Sequence, residues 1–116
     1  MPDFQGNDFI IVQPGTLDYP YEFEFTFCSA AGANDGFFPF GRTMADVEVD
    51  AFRHDTANTE DTELVADYTL NGSIVKVYLS YPATNGAGRY KLRFTVTLDD
   101  DSEEEVDFGR VIVKDR

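Results

Sequence analysis

The chain has 116 residues, with nine basic and twenty-two acidic side chains giving a net charge of −13, and 15% of it is aromatic. That length suits a single domain burying roughly two-thirds of the surface its unfolded chain exposes, and the lone Cys28 excludes an internal disulfide. So negative a field repels phosphate backbones and anionic lipid, which argues against nucleic acid and membranes as direct partners.

The start, Met1-Pro2-Asp3-Phe4, lacks the basic stretch and apolar run of a secretory leader, so none is expected. Residues 1–14 read as an N-terminal arm or edge strand, with Phe9, Ile10, Ile11 and Val12 as its apolar stretch, and residues 15–116 as one β-sandwich domain. Tyr21, Phe23, Phe25 and Phe27 alternate with Glu22, Glu24, Thr26 and Cys28, the period-two pattern of a half-buried strand. Val47, Val49 and Ala51 repeat the pattern against Asp46, Glu48 and Asp50, and Leu64, Ala66 and Tyr68 do so more weakly.

Asn71-Gly72 reads as a type I′ hairpin turn, because both residues tolerate positive φ, and it leads into a strand over residues 74–80. Beyond the glycine-bearing stretch at residues 85–88, Tyr90, Leu92, Phe94, Val96 and Leu98 alternate with polar residues. A tyrosine there, just after a glycine, occupies the place of the tyrosine corner of immunoglobulin-like sandwiches. After a polar turn at residues 99–102, Val106, Phe108, Val111 and Val113 break alternation across Gly109, which predicts a bulge. The pattern is all-β: about seven strands, no helical stretch, and an immunoglobulin-like sandwich with Greek-key connections.

Two long loops interrupt it, at residues 29–45 and 53–63, and long loops are where function concentrates. The first holds Gly36-Phe37-Phe38-Pro39-Phe40-Gly41-Arg42. Its rings either fold over one end of the sandwich as a plug or form an apolar contact patch rimmed by Asp35 and Arg42. Asp99-Asp100-Asp101 with Glu103-Glu104-Glu105 offers oxygen ligands, but neighbours on a strand point to opposite faces and cannot converge on one ion, so a solvated turn is expected. The cluster from His54-Asp55 to Glu60, Asp61 and Glu63 reads the same way.

Cys28 and His54 have nothing in the sequence to bring them together as a nucleophilic pair, and one of each is too few for an ordinary zinc site. No convergent catalytic set is visible. The reading is therefore no enzyme, with no catalytic, cofactor-binding or metal-binding residues.

Gly88-Arg89-Tyr90-Lys91-Leu92-Arg93-Phe94-Thr95-Val96-Thr97-Leu98, the acidic turn, and Val106-Asp107-Phe108-Gly109-Arg110-Val111-Ile112-Val113 resemble small structural proteins of tailed bacteriophages. In those an immunoglobulin-like sandwich forms part of the virion, as capsid cement or decoration proteins, neck fibres and tail or baseplate adaptor domains. The resemblance covers residues 64–116, and residues 8–28 loosely; the loop of Phe37, Phe38 and Phe40 has no counterpart in it. It implies a non-catalytic virion protein, assembled in the host cytoplasm, that docks on the major capsid protein or other virion subunits, possibly on copies of itself.

On that reading the contacts are made by Phe9, Ile10, Ile11 and Val12, through strand addition, and by Phe37, Phe38, Phe40 and Arg42. The alternative is a glycan-binding or adhesion module in which Tyr19, Tyr21 and Tyr81 stack on sugars, with the absence of Trp against it.

Overall fold

The computed structural model describes residues 10–14, 19–54 and 58–115. They form eight strands and no helix: β1 (Ile10–Val12), β2 (Tyr19–Glu24), β3 (Met44–Arg53), β4 (Glu60–Asp61), β5 (Val65–Asn71), β6 (Ile74–Leu79), β7 (Gly88–Leu98) and β8 (Glu103–Val113). One sheet has the order β1-β8-β7-β3-β4 and the other β2-β6-β5. The chain changes sheet between β1 and β2, β2 and β3, β4 and β5, and β6 and β7.

Alternation decides what each strand buries. On β7, Tyr90, Leu92, Phe94, Val96 and Leu98 are all buried; on β6, Val75, Val77 and Leu79 are. The two apolar faces pack on each other, with the Phe23 ring 4.9 Å from that of Phe94 and 5.2 Å from that of Phe108. Outward, Arg93 bonds Asp107 at 3.0 Å and lies 5.1 Å from the centre of the Phe52 ring.

Three details depart from, or refine, the sequence pattern. The count is eight rather than seven, because the 53–63 loop contains β4, a two-residue strand paired with Ala51 and Phe52. The β5–β6 turn sits one residue later than Asn71-Gly72: Asn71 pairs with Ile74, so Gly72 and Ser73 connect the strands. Gly72 has φ +65 while neither Asn71 nor Ser73 has a positive φ, which excludes a type I′ turn. The expected bulge is present: Leu92 pairs with Phe108 and Tyr90 with Val111, leaving one extra residue on β8 beside Gly109.

Residues 10–12 do not reach outward for a partner's sheet. They pair in parallel with Val111, Ile112 and Val113 of their own chain, and Val12 is fully buried. Phe9 lies outside the described residues.

Candidate docking site

After β2 the chain stays extended through Phe25 and Phe27, then turns into the 29–43 loop, which folds back along it. Phe27 and Phe38 form a parallel bridge. Cys28 N–H donates to the Phe38 carbonyl at 2.8 Å, and Phe37 N–H donates to the Thr26 carbonyl at 2.8 Å. This close approach requires Gly36, where an added Cβ would stand 2.4 Å from the Phe27 carbonyl carbon and 2.6 Å from the Cys28 nitrogen. The Asp35 carboxylate ties the base of the loop, accepting from Ser29 N–H at 2.9 Å and from Ser29 Oγ–H at 2.6 Å. Those bonds hold its pKa below the ordinary aspartate value.

The rings divide between two fates. Phe38 is 1% exposed and stacks 5.6 Å from Phe25, itself in an edge contact with Phe94. Phe37 is half-buried and meets Phe25 edge-on at 5.6 Å. Phe40, two residues past Phe38 and before the positive-φ Gly41, is 54% exposed. The expectation that Phe38 faces a partner is therefore corrected: its bridge to Phe27 turns the ring into the core. Val12 is corrected for the same reason, since the ladder with β8 points it inward.

Beside Phe40 lies an open groove of about 480 Å³ whose lining includes Ala30, Ala31, Ala33, Pro39, Phe40 and Glu104. Glu104 shares the inward-looking face of β8 with Val106 and Phe108 and lines the groove. A second, smaller hollow of about 260 Å³ lies between Phe27, Met44, Gly72 and Arg42. Arg42 is exposed and pairs with Asp99 at 3.7 Å and Asp100 at 3.9 Å, contacts that add little stability at a wet surface.

The acidic turn is built into this end rather than standing free. Asp99 N–H donates to the Thr43 carbonyl at 2.9 Å, and Thr43 N–H donates to Asp99 Oδ1 at 3.1 Å. Asp100 accepts from both the backbone N–H and the hydroxyl of Ser102, which lowers its pKa.

Ile11 is the other exposed large hydrophobic residue among those described, at 46%. It lies beside the C-terminal end of β8, whereas the Phe40 loop adjoins the 99–102 turn before β8 begins, so the two expected contact regions are apart. Ile10 packs partly buried against the core. Cys28 and His54 are also at opposite ends: Cys28 sits by the Phe40 loop, and His54 N–H donates to the Arg89 carbonyl. Among the described residues no three His, Cys, Asp or Glu side chains are grouped to hold a metal ion.

Sequence reading missed Gly36, Glu104 and Asp61. Asp61, buried in the second acidic cluster, accepts from Glu63 N–H at 2.8 Å, Leu64 N–H at 2.7 Å and Asn85 Nδ2 at 2.7 Å. Its signal was an Asp followed two residues on by a chain reversal, the Asx-turn pattern. Gly36 left no local signal, because its constraint comes from a segment eight residues away. No protein-family model and no curated protein matches the chain.

Proposed function

We propose that this chain is a non-catalytic structural virion protein, an immunoglobulin-like module that docks on capsid or tail subunits through the end bearing Phe40. The immunoglobulin-like reading is supported by the strand orders, in which β2, β6 and β5 correspond to strands B, E and D, and β3, β7 and β8 to C, F and G. It is supported further by Tyr90, whose hydroxyl donates to the Gly86 carbonyl at 2.6 Å near the start of β7, as in a tyrosine corner.

The observation that carries the docking reading is Phe40: a ring 54% exposed, on a loop fixed by the buried rings behind it. An anchor that is already ordered loses little conformational entropy on binding, and aromatic anchors beside a hollow dominate interface energetics. The groove beside Phe40 takes an apolar side chain from the partner, and Glu104 in its lining favours a basic group beside it. Repetition of such contacts around a shell adds avidity to a modest single contact. Of the tyrosines the glycan alternative uses, Tyr21 packs against the core, the Tyr81 hydroxyl is engaged by Asp115 at 2.6 Å, and the Tyr19 side chain lies outside the described residues.

Quantitative mass spectrometry of particles assembled with this chain, scaled against the major capsid protein, tests the reading. A simple ratio to the capsid protein is expected, with Phe40→Ser remaining folded and its occupancy falling by roughly tenfold or more. Absence of the wild-type chain from particles overturns the virion reading. Undiminished occupancy of Phe40→Ser overturns the assigned surface.

A further inference from the structure

Asparagine followed by glycine occurs twice in the chain, as Asn71-Gly72 and as Asn85-Gly86. The pair is chemically reactive. An asparagine side chain is short enough to fold back on the neighbouring backbone, and glycine, having no Cβ, leaves its own amide nitrogen open to approach. That nitrogen, once its proton has gone to hydroxide, attacks the side-chain carbonyl carbon Cγ. The new N–Cγ bond closes a five-membered succinimide, and the Cγ–Nδ2 bond breaks, with Nδ2 leaving as ammonia. Water then opens the ring at one of its two carbonyls, giving aspartate or isoaspartate. The reaction needs a free nucleophile, a free leaving group and a peptide unit that can turn.

At Asn85-Gly86 all three are engaged. Gly86 N–H donates to the Pro82 carbonyl at 2.7 Å. Asn85 Nδ2 donates to Oδ2 of the buried Asp61 at 2.7 Å. The backbone is clamped on both sides, with Arg53 donating to the Asn85 carbonyl and the Tyr90 hydroxyl to the Gly86 carbonyl.

At Asn71-Gly72 the opposite holds. Both residues are exposed. Among the described residues, neither the Asn71 side-chain amide nor the Gly72 N–H has a hydrogen-bond partner. A Cβ placed on Gly72 would meet nothing within 4 Å, so the approach to its nitrogen is uncrowded. The main restraint is the rung from Asn71 to Ile74, the last of the β5–β6 ladder. It stands at a hairpin tip, where local opening costs least.

We propose that Asn71 is a self-modification site: it cyclises on Gly72 in the folded protein and becomes aspartate or isoaspartate, whereas the fold protects Asn85 from the same reaction. The product carries one further negative charge on a chain already at −13. Isoaspartate also adds a methylene to the main chain, just before Gly72 and Ser73, which border the hollow shared with Phe27 and Arg42. The bond from Phe25 N–H to the Ser73 carbonyl, 2.9 Å long, depends on the turn that this lengthens. The chemistry requires only water and does not depend on what Phe40 contacts.

The test incubates the whole chain in warm, mildly alkaline buffer, folded and in parallel in guanidinium chloride, and follows both sites by peptide mapping with mass spectrometry. In the folded chain Asn71 should be converted roughly thirtyfold faster than Asn85, the scale of the two hydrogen bonds that hold the Gly86 nitrogen and the Asn85 amide. In guanidinium chloride the two rates should converge. Equal rates in the folded chain overturn the proposal, as does an Asn71 that reacts only in denaturant. A difference that persists undiminished in denaturant also overturns it, since the selectivity then belongs to the flanking residues and not to the fold. In converted chain separated by ion exchange, the Phe25 amide should lose protection from hydrogen exchange. Retained protection overturns the loosening of the turn.

Discussion

At one end of the sandwich the Tyr90 hydroxyl, Arg53, Asn85 and Asp61 close the core with directed hydrogen bonds, whereas at the other Phe25, Phe27, Phe37 and Phe38 close it by ring packing. In the polar end, Arg53 donates to the Asn85 carbonyl and its guanidinium lies 5.8 Å from the centre of the Tyr90 ring, so the 81–88 connection is fixed by bonds of defined direction. Burial and the neighbouring Asp61 carboxylate raise the Tyr90 pKa, which keeps the hydroxyl protonated as a donor. At the aromatic end, backbone bonds such as Cys28 N–H to the Phe38 carbonyl hold the loop, and the rings fill the space behind it. Rings pack in several geometries at similar energy, and Phe40 stays outside this packing, 54% exposed.

The largest effect that should separate the two ends is Phe38→Ala. Removing a fully buried ring that touches Phe25, Phe27 and Phe37 is expected to cost about 3–5 kcal/mol in urea unfolding. Phe40→Ala, two residues away, should change stability by no more than about 0.5 kcal/mol. Similar losses at both positions would mean that Phe40 is part of the packed end, and the division drawn between plug and anchor would collapse.

A smaller loss is expected at the polar end from Tyr90→Phe, which keeps the ring and deletes the hydroxyl that donates to Gly86 and accepts a long contact from Arg53. About 1–1.5 kcal/mol is the scale for such a bond, since the partly buried Gly86 carbonyl is left to find water. Thermal unfolding of the two proteins side by side measures it. No loss would show that the ring alone, packed in the core, does the closing, and the two ends would then differ in composition but not in mechanism.

The two ends were also unequally legible. The Tyr90–Gly86 bond was within reach of sequence reading because Gly86 lies four residues upstream and the strand after Tyr90 alternates without a fault. The β8 bulge was readable for the same kind of reason, as a break in alternation across Gly109. Phe38 and Phe40 could not be told apart, because neither sits in a periodic segment and the bridge between Phe27 and Phe38 decides which ring turns inward. β4 was invisible: two residues, Glu60 and Asp61, carry no period, and only the edge of β3 makes them a strand. The turn after β5 was misplaced by one residue because Asn71 and Gly72 both suit positive φ, while the ladder to Ile74 uses Asn71 as its last rung. Local chemistry was readable, and the choices made by distant backbone were not.

The smallest expected effect is a response to acid confined to the aromatic end. Asp35 and Asp100 both have pKa values lowered by hydrogen bonds, from Ser29 and Ser102 respectively. A lowered folded pKa means that the unfolded chain binds the proton more readily. Each group's contribution is therefore present above the ordinary aspartate value of about 3.8 and is lost as pH falls through the lower folded value. Glu48, on the outer face of β3, has the opposite sign: repulsion from Asp50, with Glu103 and Asp46 adding to it, raises its pKa. Its repulsion is relieved as the pH falls through that raised value, before the loop bonds are lost. Carboxyl and amide NMR titrations should thus show Glu48 protonating first, with no change at the Ser29 and Ser102 amides. Those two amides should move only at lower pH, and Asp35→Asn should abolish the Ser29 shift alone. Movement of the Ser29 amide together with Glu48 would mean that the base of the Phe40 loop is coupled to the sheet face, and the aromatic end could no longer be treated as a unit held by its own contacts.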